Sequence, residues 1–270
     1  MLRYKLASLA DRRKGTAVPL PAIHASLGAE TAYLKALRVM LRELAAYVRQ
    51  TIIPAAEREI AAKRAANRLT VDMGEHDFDA LSSLAARLAA VASATVRRIL
   101  GLEAKRHTET FMATAKRVLG IDLSAVVRQE DLGDYLANAA IKNAGLIKGL
   151  AADVVKRVSQ TVMGAVLAGI PVKDLRKKLT ADFGFADRRA KLIARNEISS
   201  LNADLNRERQ VQAGVTTYTW RTAADERVRP LHRHLDGKVY QYGKPTGAED
   251  GLPPGKPINC RCVAVGIVEF

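Results

Sequence analysis

The change of architecture along this chain is visible in residues 211–220, whose sequence is VQAGVTTYTW. The residues before Gly214 have a helical pattern, and glycine is the residue that most often ends a helix. After it, Thr216 to Trp220 are β-branched or aromatic, as strands prefer. We therefore predict that a last long helix, roughly Ala186 to Ala213, ends here and that short strands follow.

Two more strands are predicted beyond this point. Asp236-Gly237 is a turn signal ahead of Lys238–Tyr242, and residues Cys262–Val268 have the pattern of a terminal strand. The segment Gly243–Pro257 between them is rich in glycine and proline, which predicts an irregular loop. The C-terminal third is thus predicted to be a small α+β unit, one helix plus about three short antiparallel strands.

Upstream of this unit the sequence predicts long, alanine-rich helices. Proline should kink or end one of them near Ile53, because Pro54 lacks a backbone N–H. The apolar residues recur at steps of three and four, which places each set on one face of a helix. These sets are Leu34, Leu37, Leu41, Leu44 and Val48; Leu81, Leu84, Leu88 and Val91; and Ile147, Leu150, Val154, Val158, Val162 and Val166.

The fold class is therefore predicted as mainly α with a small C-terminal α+β domain, divided into a basic helical region at 1–170 and a second domain at 171–270. The 270 residues carry a formal net charge of +15, of which +12 falls on residues 1–180 and +3 on residues 181–270. Helices with this excess can bind polyanions by neutralising phosphates, without base specificity. Basic helices that are simply solvated, or that face an acidic protein, remain alternatives.

Membrane and secreted classes do not fit the sequence. Its longest uncharged stretch, Val158–Val172, contains two glycines and a proline and is shorter than a spanning helix. The N-terminus lacks the apolar run of a secretory signal, so we expect a protein made in the cytoplasm. Cys260 and Cys262 are the two cysteines, too few for a disulfide framework.

These cysteines belong to the densest set of reactive side chains. Asp225, Arg227, Arg229, His232 and His234 precede them by 26 or more residues. His232, Cys260 and Cys262 can supply three zinc ligands, because thiolates and imidazoles bind zinc well. Against this, the spacing is not CxxC and there is a single cysteine pair. The alternative is that both cysteines are small buried side chains at the start of a strand and that Asp225 pairs with the arginines.

A second group, Arg195, Glu197 and Asn202, lies on the predicted long helix. Arg195 and Asn202 share a helix face, whereas Glu197 is displaced around the helix, so the three need not form one site. Tyr218 and Trp220 share a strand face and are expected in the core. The remaining histidines are isolated and are expected to be solvated; they are His24, His76 and His107.

The C-terminal third of the sequence resembles the phage head-morphogenesis family typified by the F protein of phage Mu. The resemblance covers roughly residues 170–268 and rests on the order and spacing of its motifs. The residues that carry it are Arg195, Glu197, Asn202, Trp220, Asp225, Arg227, Arg229, His232, Asp236, Gly237, Asn259, Cys260, Arg261 and Cys262. In the family a histidine often stands close before Asn-Cys-Arg-Cys. Here the preceding residues are Pro-Pro-Gly-Lys-Pro-Ile, which argues against a four-ligand zinc site.

The resemblance implies a minor capsid protein that assists head assembly and genome packaging, retention or delivery by binding, not an enzyme. Its implied place is the virion, at the capsid interior or portal vertex, after synthesis in the host cytoplasm. The implied partners are the portal protein, the major capsid or scaffold protein and nonspecific double-stranded DNA, with no membrane. No cofactor is required, and zinc is the one candidate.

Two other functions remain open from the residues alone. The first is a metal-dependent nuclease or hydrolase using Asp225, His232, Cys260 and Cys262, because such groups can bind a metal and activate water. The second, a regulator that binds the host nucleoid, rests on net charge alone.

Overall fold

A computed structural model describes residues 3–11, 13–66, 76–127 and 132–270, and most of them are helical. The helices are α1 (Leu6–Leu9), α2 (Leu27–Tyr47), α3 (Ile53–Ala66), α4 (His76–Leu119), α5 (Gly133–Leu167), α6 (Val172–Gln212) and α7 (Pro230–Leu235). The strands are β1 (Ala17–Pro19), β2 (Thr217–Arg221), β3 (Val239–Gln241) and β4 (Val263–Glu269). The predicted class, mainly helical with a small C-terminal α+β part, is confirmed.

The four strands form one antiparallel sheet in the order β1-β4-β2-β3. The three predicted strands are confirmed within one or two residues of their expected ends. The fourth, β1, comes from the N-terminal segment and was not predicted, because three residues ending in a proline give no alternating pattern. It pairs with the far end of β4, where Val18 lies opposite Val268.

Pro54 has the effect that its missing N–H predicts. Helix α2 ends at Tyr47, a π-helical segment follows at Val48–Ile52, and α3 begins at Ile53. Pro54 is thus the second residue of α3 but lies inside a continuous helical run, where its missing N–H removes one backbone hydrogen bond. The π-helical turn directly before Pro54 is where the helix accommodates this lost hydrogen bond.

Helix α6 is longer than predicted. The last long helix was expected to begin near Ala186, but Val172–Gln212 is continuous. Gly184 lies inside this helix, where glycine costs about 1 kcal/mol relative to alanine but does not end the helix. The predicted end is confirmed, with Gly214 in the left-handed region at φ +80°.

The described residues pack into two compact units that are discontinuous in sequence. Unit 1 is Met1–Glu30, Ile99–Ala139 and Arg195–Phe270, and unit 2 is Thr31–Arg98 and Ala140–Ala194. The division into 1–170 and 171–270 follows charge and motifs instead and stays a prediction. Unit 1 holds the sheet and two apolar clusters. The smaller cluster, formed by Trp220, Leu235, Ala248, Cys260 and Cys262, adjoins the site described below.

Unit 2 is built from helices. The apolar residues predicted on α5, from Ile147 to Val166, are all buried. On α4 the predicted face holds in part, because Leu81 is buried and Leu84 and Leu88 are half-buried, but Val91 is 65% exposed. The alanines Ala85, Ala89 and Ala92 are buried instead. Small alanine side chains form this contact face, and a pattern of leucines alone does not reveal it. None of the helices in the described part of the chain has a stretch long and apolar enough to span a membrane.

Candidate functional site

A pocket of about 280 Å³ in unit 1 gathers most of the reactive side chains that the sequence singled out. Helix α7 and the loop before β4 form much of its wall. Its lining residues are Arg195, Ala223, Arg227, Val228, Arg229, His232, Asn259, Cys260, Arg261 and Cys262. Four arginines and three soft metal-binding side chains therefore meet in one cavity.

Helix α7 points His232 into the protein. Pro230 is its first residue, where a fixed φ favours helix initiation. Within this short helix His232 and Leu235 are buried, whereas His234 is exposed. The His232 ring packs edge-on against Trp220, with 5.3 Å between ring centroids. This buried aromatic contact helps to fix the imidazole in place.

The two cysteines face the same nitrogen of this histidine. Cys260 and Cys262 are each 4% exposed, and each Sγ atom lies 3.6 Å from Nδ1 of His232. All three ligand atoms lie within 4.8 Å of one another. Among the histidine, cysteine and acidic residues that the structure describes, these three are the ones whose ligand atoms lie close enough together to hold a metal ion.

Glu249 holds the other nitrogen of His232. Its Oε2 atom is 2.7 Å from Nε2 of the histidine, and its Oε1 accepts a hydrogen bond of 2.9 Å from Arg229. The hydrogen bond from His232 is the main reason that the pKa of Glu249 is lowered. An ionised Glu249 places the imidazole proton on Nε2, so the lone pair of Nδ1 points to the two sulfurs.

The two thiols have opposite environments. Hydrogen bonding from Cys262, assisted by the backbone N–H groups of Cys262 and Gly255, lowers the pKa of Cys260 to about 6. Both N–H groups lie 3.4 Å from its Sγ. The neighbouring Cys260 raises the pKa of Cys262. Cys260 is therefore the sulfur at which the fold stabilises negative charge.

Asp225 lies apart from these ligands because Arg261 engages it. Oδ1 of Asp225 accepts a hydrogen bond of 2.6 Å from Arg261, and Oδ2 accepts a second one. This pairing is the main cause of the lowered pKa of Asp225. Asp225 thus pairs with an arginine, as one of the two interpretations of the cluster predicted. It is not brought together with His232, Cys260 and Cys262.

Of the predicted group on α6, the structure brings one member to the pocket. Arg195 lines it and forms an ion pair of 3.3 Å with Glu30. Asn202 is buried elsewhere, where its side-chain amide donates to the carbonyl of Ile23 at 2.9 Å. Glu197 is also buried, beside Asn196. The structure therefore does not bring these three residues together in a single site.

Other motif residues shape the turns around the pocket. Asp236 accepts the N–H of Thr222 at 2.8 Å, and Gly237, at φ +78°, donates its own N–H to the Trp220 carbonyl at 2.9 Å. Asn259 adopts φ +61°, which asparagine tolerates better than most residues. These residues therefore fix the turns of the backbone that carries the ligands.

Sequence reasoning missed the residues that support the ligands. Glu249 and Gly255 fall in the segment predicted as an irregular loop, and Ser199 donates its hydroxyl proton to the carbonyl of Cys260 at 2.6 Å. Lys256 anchors the same loop to α6 through Ser200 and Asp204, at 2.8 and 2.7 Å. The one available signal was Pro-Pro-Gly, a tight turn five residues before Cys260.

The isolated histidines differ from one another. His24 is exposed, as predicted, and the side chain of His76 is outside the described residues. The prediction for His107 was wrong. It is fully buried, and its Nε2 lies 3.1 Å from Oδ1 of Asn206. Burial is the main reason that its pKa falls to about 4.

Comparisons with known proteins agree with the motifs. An uncharacterized protein of Haemophilus influenzae is 34% identical over 168 residues, which is 62% of this chain and 37% of that protein. The match therefore spans little more than a third of the relative's length. No solved structure matches the chain. Residues 156–265 match the family described as Phage Mu protein F like protein, which confirms the predicted resemblance for the C-terminal part of the chain.

Proposed function

We propose that this chain acts in phage head morphogenesis as a minor capsid protein that associates with the portal vertex and works by binding. The observation that carries the proposal is the family match over residues 156–265, which contains the whole pocket except for its supporting contact from Glu30. The partners we propose are the portal protein and the major capsid or scaffold protein.

Co-expression of the full chain with the portal protein and, separately, with the major capsid protein of the same phage or prophage tests this function. We expect the tagged chain to retain portal protein through size-exclusion chromatography and to be found in purified heads. Recovery of neither partner, together with absence of the chain from the heads, would contradict the proposal.

We further propose that unit 2 contacts packaged DNA without base specificity. Unit 2 carries 22 Lys and Arg against 11 Asp and Glu, a formal +11, whereas unit 1 carries 21 against 17. The basic excess therefore belongs to the unit that lacks the pocket. Basic side chains are densest in the first turns of α6, where four of them are exposed: Lys173, Arg176, Lys177 and Lys178.

Charge reversal tests the DNA contact. The K173E/K177E/K178E variant should weaken binding to a duplex of any sequence. If three phosphate contacts are lost, the slope of log K against log salt should become shallower by about 2.7. A matched triple in unit 1, K14E/K238E/K244E, changes net charge equally at exposed positions and should have a smaller effect. Equal loss of affinity in the two triples would contradict a contact through unit 2.

The proposed work of the protein is binding and not turnover. A hydrolase that uses Asp225 requires this carboxylate beside the histidine and cysteines, but Arg261 holds it in an ion pair. We expect no nuclease activity that depends on the site. Zinc-dependent DNA cleavage by the wild type that disappears in the His232→Ala variant would favour the enzyme instead.

A further inference from the structure

The sulfur–nitrogen distances among the three ligands in the pocket match those of a tetrahedral metal centre. Zinc lies about 2.3 Å from a thiolate sulfur and about 2.0–2.1 Å from an imidazole nitrogen, so a tetrahedral site separates sulfur from nitrogen by about 3.6 Å. Both Sγ atoms lie 3.6 Å from Nδ1 of His232. His232 and the cysteines lie on different elements, because His232 is on α7 and both cysteines are in the segment just before β4.

Hydrogen bonding uses the Nδ1 atom of His232 for one of the two thiols at a time, whereas a metal ion would use both sulfurs and the nitrogen together. With its proton on Nε2, facing Glu249, the imidazole offers one lone pair at Nδ1. Two thiols at the same distance compete for it, so one of them is left without an acceptor at this nitrogen. A divalent cation between the three atoms is coordinated by both sulfurs and the nitrogen together.

The surrounding contacts support ligands in their metal-binding forms. Glu249 accepts the Nε2 proton of His232, the carboxylate–histidine pairing that orients metal-bound imidazoles. Two backbone N–H groups, from Gly255 and Cys262, point to Sγ of Cys260 at 3.4 Å. Hydrogen bonds to sulfur stabilise a bound thiolate.

We propose that His232, Cys260 and Cys262 form a zinc site with three protein ligands, whose fourth coordination position opens to the pocket. Two thiolates neutralise the charge of Zn²⁺, and a sulfur-rich tetrahedral set selects zinc over magnesium or calcium. The fourth position faces a cavity lined by Arg195, Arg227 and Arg229, so it is available to water or a small anion. The proposal is independent of the role in head assembly.

Metal analysis of the purified full chain tests the site. We expect about one zinc per chain in the wild type and at least a tenfold lower content in His232→Ala and in the C260S/C262S double variant. His234→Ala is the matched control, because His234 lies on the same short helix but is exposed. Equal zinc content in His232→Ala and the wild type would overturn the assignment.

Cobalt substitution of the wild type keeps the test valid if the variants do not fold. The cobalt-loaded chain should show thiolate-to-cobalt charge transfer and the intense visible bands of tetrahedral coordination. Azide should shift those bands if the fourth position is open. Absence of charge transfer would overturn the site, and charge transfer without an azide response would overturn its open position.

A variant of Glu249 tests the zinc site by weakening metal binding without removing a ligand. Glu249→Gln removes the carboxylate that orients His232 but leaves all three ligands, so zinc affinity should fall about 10- to 100-fold in competition with a chromophoric chelator. Glu226→Gln is the control, because the side chain of Glu226 is 85% exposed. Equal affinities for the two variants would contradict the role of Glu249.

Discussion

His107 should make the stability of unit 1 depend on pH in the mildly acidic range. It lies on α4, fully buried, and its Nε2–H donates to Asn206. Its other nitrogen, Nδ1, is buried without a hydrogen-bond partner among the described residues. Protonation would therefore place a charged N–H in the interior without an acceptor, with Arg106 and Arg209 adding repulsion.

The size of the effect follows from the pKa of this histidine, which is lowered from 6.5 to about 4. The unfolded chain binds the proton more readily than the folded chain, so acid favours unfolding. The stabilisation is complete above pH about 6.5, is lost as the pH falls, and becomes constant below about 4. At about 1.4 kcal/mol per pKa unit, some 2.5 kcal/mol is lost between about pH 7.5 and about pH 4.5.

Urea denaturation followed by circular dichroism at these two pH values measures the change. His107→Gln keeps an N–H donor for Asn206 but does not titrate, so it removes this contribution. Protonation of carboxylates changes the free energy of unfolding equally in both proteins, so this contribution cancels when the wild type is compared with the variant. The wild type should lose about 2.5 kcal/mol more than the variant. If both proteins lose the same free energy of unfolding, the buried, neutral state of His107 is wrong.

Three further predictions concern the C-terminal part. Gly255→Ala should destabilise by about 1–3 kcal/mol, because a Cβ at this φ of +85° would lie 2.8 Å from Cβ of Ala203. Gly243→Ala, at a similar φ but with open space around it, should cost less in the same thermal unfolding assay, and equal costs would contradict the steric reason. Trp220→Ala should cost about 3–5 kcal/mol, since Trp220 is fully buried. Circular dichroism must follow that unfolding, because Trp220 is the one tryptophan, and Leu231→Ala on the exposed face of α7 should change stability little. A strong chelator should lower the melting temperature of the wild type and zinc should restore it, whereas the C260S/C262S variant should not respond; a wild-type melting temperature that ignores the chelator would count against the zinc site.

The long helices and three strands could be predicted because their signals are local. Apolar residues three and four apart define α5, and four consecutive β-branched or aromatic residues, Thr217 to Trp220, define β2. The face of α4 could not be predicted from leucines, since buried alanines carry much of it. Strand β1 depends on a partner near the other end of the chain, which no local pattern encodes.

The ligands of the site could be predicted from their residue types, but the residues that orient those ligands could not. Histidine and cysteine are recognised by their chemistry, and the structure brings His232, Cys260 and Cys262 together. Glu249 is one carboxylate among many, and its role depends on a loop that places it 2.7 Å from His232. Asp225 looked equally reactive in sequence, yet Arg261 holds it in an ion pair.

The pairing of β1 with β4 affects when the sheet can fold during synthesis and which fragments of the chain keep it intact. Residues about 250 positions apart in sequence must meet, so the sheet closes only after nearly the whole chain has been synthesised, and such distant contacts form slowly. A fragment that begins at residue 171 contains the motifs but lacks β1. It would expose one edge of β4, whose residues are mostly apolar, and exposed edges of this kind recruit other chains. Fragments designed to isolate the motif region should therefore keep the first 20 residues, supplied if necessary as a separate peptide.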